Sequence, residues 1–126
     1  IENDRNKTVN NNQTEYIANN KTIDVDKDHT ESIGDNMTLT IGKNMRLGVG
    51  KDLAETVEGK HNEKVTLDYS LKAKAITMEA EDQITLKTGA AKIVMKSNGD
   101  ILISGKTINI KGSGNVVVKG SKILQN

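Results

Sequence analysis

Chemistry in this 126-residue chain has few residues to draw on. There is no cysteine, so thiol catalysis and disulfide bonds are both absent. The two histidines, His29 and His61, carry the only imidazoles, groups able to bind a proton near neutral pH or to ligate a metal. Glu79, Glu81 and Asp82 form one acidic cluster that could include a general acid and base. On a strand, however, their side chains would alternate faces, which reads as a solvated corner. No GxSxG, HExxH or phosphate-binding loop occurs, and Gly89 and Gly99 read as turn glycines. From residue 99 onward Lys106, Lys111, Lys119 and Lys122 face only Asp100. The chain therefore reads as non-enzymatic, without cofactor or assignable metal site.

What must position these residues is a repeat. Every eighth residue from 9 to 65 is a β-branched aliphatic: Val9, Ile17, Val25, Ile33, Ile41, Val49, Val57 and Val65. Eight is even, so along a strand these side chains share one face. On an α-helix they would drift about 80° per repeat and form no seam. Val and Ile also favour strands, while the Gly, Asn and Thr around them disfavour helix. One place after the aliphatic come Gly34, Gly42 and Gly50, and three places after come Asn12, Asn20, Asp28, Asn36, Asn44 and Asp52. Such residues adopt positive φ at low cost, so each octad is expected to be a short strand and a corner.

From residues 68–75 the aliphatic register breaks, with Ala73 in the next slot. Apolar pairs at i and i+2 follow: Ile76/Met78, Ile84/Leu86, Ile93/Met95, Ile101/Ile103, Ile108/Ile110 and Val116/Val118, closing at Ile123. Turn signals separate them, notably Ser97-Asn98-Gly99-Asp100 and Gly112-Ser113-Gly114-Asn115. Intervening residues such as Thr85 and Lys119 are expected on the outer face. The domain reading is an octad segment, residues 1–70, and a looser β-repeat, residues 71–126, continuing it. The octad aliphatics and the pairs Ile76/Met78, Ile84/Leu86, Ile101/Ile103, Ile108/Ile110 and Val116/Val118 are the expected core.

That core is too thin for one chain. There is no Phe or Trp, only two Tyr, and mean hydropathy is −0.56. One aliphatic per eight cannot offset roughly 1–2 kcal/mol of backbone ordering per residue unless several chains share it. Disorder would explain the polarity but not the register. An octad is too short for a full β-helical turn and suits one side of a triangular prism. The fold class expected is all-β, an intertwined trimeric (triple-stranded) β-helix, with closed threefold symmetry removing open edges. About 15 repeats at one strand spacing each would make a needle near 70 Å long. Net charge is +1, so no general attraction to nucleic acid or membrane follows. No segment is apolar enough to span a bilayer, and the N-terminus is not a signal peptide. Without an initiating Met the sequence reads as a fragment of a longer protein.

The octads SIGDNMTL, TIGKNMRL and GVGKDLAE resemble the triple-stranded β-helix of contractile-phage tail spikes and of valine-glycine repeat (VgrG) spikes of type VI secretion systems. The stretch AITMEAEDQITLKTGAAKIVMKSNGDILISGKTINI resembles the C-terminal extension of VgrG spikes. Together the resemblance covers roughly residues 7–124. It implies a homotrimeric needle that punctures a target membrane in virulence, seated through an upstream base on an Hcp tube. It also implies a PAAR-type tip protein at the C-terminal end, cytoplasmic assembly and secretion by injection. The glycine falls one place earlier than in the phage pattern. A trimer gives two readings of the histidines, which share the slot four after the aliphatic: axial imidazole rings holding a metal or anion, or side chains turned to solvent. The lysines likewise either complement a docked tip, with Lys119, Lys122 and Ile123 as docking candidates, or guard strand edges. A phage tail fibre or receptor-binding adhesin is the alternative function, disfavoured by the scarcity of aromatics. A polysaccharide-degrading β-helix enzyme lacks its acidic groove.

Overall fold

A computed structural model describes residues 4–126. Residues 1–3, the start of the expected octad segment, lie outside the described residues. The chain divides into two compact units, residues 1–58 and 59–126. No α-helix occurs among the described residues, and all regular structure is β.

In the first unit the backbone bends at 10–11, 18–19, 26–27, 34–35, 42–43 and 50–51, and a further bend spans 58–59. Each bend occupies the two residues that follow or begin just after an octad aliphatic. Between bends the described residues have no strand partner within the chain. The corners are not made as the turn chemistry suggested. Among the described residues only Gly89 and Gly99 have positive φ, and no other residue type does. The octad corners instead spread their change of direction over two residues with ordinary backbone angles, leaving open space around Gly34, Gly42 and Gly50.

In the second unit changes of direction continue at 66–67, 74, 81–82, 89–90, 97–98, 106, 113–114 and 121. The eight-residue step thus persists past residue 68, where the aliphatic register breaks. Side-chain type changes there and backbone period does not. The consequence is a different corner. Three strands form an antiparallel meander: β1 (Gln83–Thr88), β2 (Ala91–Lys96) and β3 (Ile101–Ser104), in the order β1-β2-β3.

Both reversals follow from glycine. Gly89, with φ of 52°, takes the first central position of a two-residue hairpin, the arrangement of a II′ turn, whose twist matches the flanking strands. Gly99, with φ of 92°, closes the second. Its N–H donates to the Lys96 carbonyl (3.0 Å), and the Lys96 N–H donates to the Asp100 carbonyl (3.0 Å). The Asn98 side chain accepts from the Asp100 N–H (3.1 Å) and donates to the Asp100 carboxylate (2.9 Å). The Ser97 N–H donates to the Asp82 carbonyl (2.9 Å), extending the β1–β2 ladder by one rung.

Register brings the apolar pairs together. Ile84 faces Met95, and Leu86 faces Ile93. Ile93 in turn faces Ile103, and Met95 faces Ile101. By alternation the opposite face carries the row Thr85, Val94, Leu102 and the row Lys87, Lys92, Ser104. Thr85, expected on the outer face, is exposed there. Val94, at the centre of the middle strand, is 7% exposed and is the buried hydrophobic of the described residues. Ile93 and Met95, on the other face of the same strand and also flanked on both sides, are 39% and 37% exposed.

Candidate functional site

No pocket of convergent polar groups organises this molecule; the candidate site is a surface waiting for partners. The octad aliphatics, Val9 through Val65, are all between 42% and 51% exposed. Slots four and six places later hold Met37, Leu39, Met45, Leu47 and Leu53, which are 59–66% exposed. Each lies two or four residues before the next octad aliphatic with no bend between, so by alternation it shares that residue's face. In the second unit Ile76, Met78, Leu86, Ile101, Ile103, Ile108, Ile110, Val116 and Val118 are likewise exposed, and Ile84 is half-buried. The pair face of the meander opens into an apolar groove of about 710 Å³ floored by Leu86, Ile93, Ile103 and Ile108. Each expected core residue therefore lies on a face that a single chain does not cover.

The backbone tells the same story. Among the described residues the backbone–backbone hydrogen bonds outside the β1–β3 ladders are three, all between Asp82 and Asp100. Among the described residues the segments between octad corners have no backbone hydrogen-bond partner within the chain. Total accessible surface is 14692 Å². A compact monomer of 13.7 kDa would show about 6,600 Å². The surplus, about 8,000 Å², exceeds the 2,000–5,000 Å² typical of obligate interfaces.

Polar side chains in slots four and six tie neighbouring octads. The Lys21 ammonium lies 2.9 Å from the Glu15 carboxylate, and the Tyr69 hydroxyl donates to Glu63 at 3.5 Å, each pair six residues apart. The hydrogen bond and positive charge of Lys21 lower the Glu15 pKa from its ordinary 4.5. His29 Nε2 lies 3.7 Å from Glu31 and His61 Nε2 lies 3.9 Å from Glu63. These are ion pairs only when the imidazole is protonated, and all four side chains are more than half exposed. Each histidine thus has the glutamate two residues further on as its neighbour. Among the described residues of one chain no three His, Asp or Glu side chains converge as a metal site.

Glu79 and Glu81 are exposed, while Asp82 serves through its backbone as the start of the meander. Lys119, Lys122 and Ile123 are exposed, and among the described residues neither lysine is ion-paired. No helix among the described residues is long and apolar enough to cross a membrane. Sequence reasoning missed Val94. Its signal was position, the middle of the run Ile93-Val94-Met95 in what becomes the central strand.

Comparison with known proteins meets this picture. A family model described as the bacteriophage T4 gp5 C-terminal trimerisation domain matches residues 1–80. A second likeness is to the type VI secretion system spike protein VgrG1b of Pseudomonas aeruginosa, 61% identical over 36 residues. That stretch is 29% of this chain and 5% of the relative's length, so the chain matches only a small part of it. An eight-residue corner period without internal pairing, an uncovered aliphatic stripe and a family match over most of the chain agree: the chain belongs to the family of the bacteriophage T4 gp5 C-terminal trimerisation domain.

Proposed function

We propose that this chain is the needle segment of a homotrimeric spike in a contractile injection system of type VI. Three copies wind into a triple-stranded β-helix, and the octad aliphatics of each meet those of the other two. Every segment between corners then pairs with a neighbouring chain, which satisfies the backbone and removes open edges. Stiffness along the axis comes from those inter-chain hydrogen bonds. The needle carries force to a target membrane and performs no chemistry of its own. Its C-terminal end presents a tip protein of the PAAR type, and an upstream base seats it on an Hcp tube. It is assembled in the bacterial cytoplasm and leaves by injection.

One observation carries the reading: a corner every eight residues with no backbone partner inside the chain. The family match and the spike relative support the same assembly. Light scattering of the purified chain tests it. The expected molar mass is near three times 13.7 kDa, and a folded monomer would overturn it.

A further inference from the structure

Overall neutrality hides a division of charge. Residues 1–58 hold eleven acidic and seven basic residues, whereas residues 59–126 hold six acidic residues and eleven lysines. From Gln83 to the last residue there are seven lysines and a single acid, Asp100. The meander concentrates this excess on one side. Lys87 and Lys92 are direct cross-strand partners, and Lys96 lies on the same face by alternation. Two ammonium groups on facing positions, with Cβ atoms about 5 Å apart, repel and destabilise a sheet. None of the three forms an ion pair among the described residues. Lys96 follows Lys92 by about 13 Å along the strand, the row between carries Thr85, Val94 and Leu102, and Ser104 ends the Lys87/Lys92 row. An uncompensated like-charge pair kept on an otherwise unstrained sheet calls for an anionic partner.

Composition indicates which kind. Arginine's planar fork and aromatic rings dominate specific protein interfaces, and residues 83–126 contain no Arg, Phe, Tyr or Trp. Lysine is a hydrated point charge on a flexible stem, suited to a diffuse field of phosphates and not to one shaped epitope. We infer that the lysine face of the meander, Lys87, Lys92 and Lys96, is an adsorption surface for the phosphate headgroups of an anionic lipid bilayer. The inference rests on the trimer reading for one point only, that the apolar pair face turns to the other copies and leaves the lysine face outward. Each lysine near such a surface raises partition about fivefold.

Co-sedimentation of the full chain with vesicles tests this. Vesicles of phosphatidylcholine with about one-third phosphatidylglycerol should bind it, less strongly as salt rises, and pure phosphatidylcholine should not. The variant K87Q/K92Q/K96Q should lose about 100-fold in partition. K87R/K92R/K96R should keep it, and K27Q/K43Q/K51Q, on the octads, should be unchanged. Equal binding to neutral vesicles, or full binding by the glutamine variant, would overturn the assignment. Displacement by inorganic phosphate at constant ionic strength would replace it with a discrete anion site, and equal affinity for duplex DNA would replace it with a polyanion surface. Molar mass measured on the same samples keeps the two readings apart. A monomer that still binds anionic vesicles defeats the spike assembly alone, and a trimer that does not bind defeats the lipid surface alone.

Discussion

Replacing Ile41 with alanine probes the assembly where it is most exposed to refutation. In one chain the Ile41 side chain is 47% exposed, so within a monomer the substitution removes contacts on only about half of the side chain. Fully burying such a side chain stabilises by about 1.5–3 kcal/mol, so the half still uncovered is worth about 1 kcal/mol per copy. A large-to-small change at a fully buried site costs more, about 2–5 kcal/mol, because a cavity remains. Threefold symmetry repeats that loss at one level of the needle, giving about 6–15 kcal/mol per trimer. Leu67→Ala is the control: Leu67 lies on a bend, off the stripe, and is 88% exposed, so its loss should be within about 0.5 kcal/mol. Guanidinium unfolding followed by light scattering reads both. For dissociation into three unfolded chains, tenfold dilution should lower stability by about 2.7 kcal/mol of trimer, and the midpoint should move accordingly. If Ile41→Ala costs no more than Leu67→Ala, or if the midpoint ignores concentration, the stripe is not a shared core.

Gly99→Ala places a side chain at a φ of 92° and should destabilise the β2–β3 reversal by about 1–2 kcal/mol, seen as faster amide exchange across Ile101–Ser104 while the octads are unaffected. Glu15, whose pKa is lowered by Lys21, contributes stability that is complete above its unfolded value near 4.5. That contribution is lost as pH falls below 4.5 through the folded pKa. A pH titration of the unfolding midpoint should show a small acid-side loss that Glu15→Gln removes and high salt weakens. Charge reversal of Lys119 and Lys122 to Glu should weaken capture of a PAAR-type tip protein in a binding assay without altering molar mass; unchanged affinity would assign these lysines to edge protection.

Much was legible in the sequence because strand alternation is a local rule. The octad aliphatics and the turn at Ser97–Asp100 could be read from residue types and spacing, since each depends on a few adjacent residues. The candidate surface was legible for a related reason: a stripe of one aliphatic per eight is visibly too thin to close over itself. Gly34, Gly42 and Gly50 misled, because glycine signals freedom of the backbone without saying whether that freedom is used. Residues 68–75 break the Val/Ile slot, yet the apolar pairs beyond them keep a spacing of seven to nine residues, so the repeat stayed legible.

The strand period, the all-β class and the shortage of core were decided by the sequence alone, each being a sum over local choices and composition. Only the tertiary structure decided that two of the corners past residue 68, at Gly89 and Gly99, become reversals between antiparallel strands. It also decided that the apolar pairs Ile84/Leu86, Ile93/Met95 and Ile101/Ile103 align in an antiparallel meander, and that Lys87 lands opposite Lys92. Register is a relation between distant residues, and a shift of one position would have turned those lysines and Val94 to the other side. No local preference specifies it until the reversals at Gly89 and Gly99 bring the strands together.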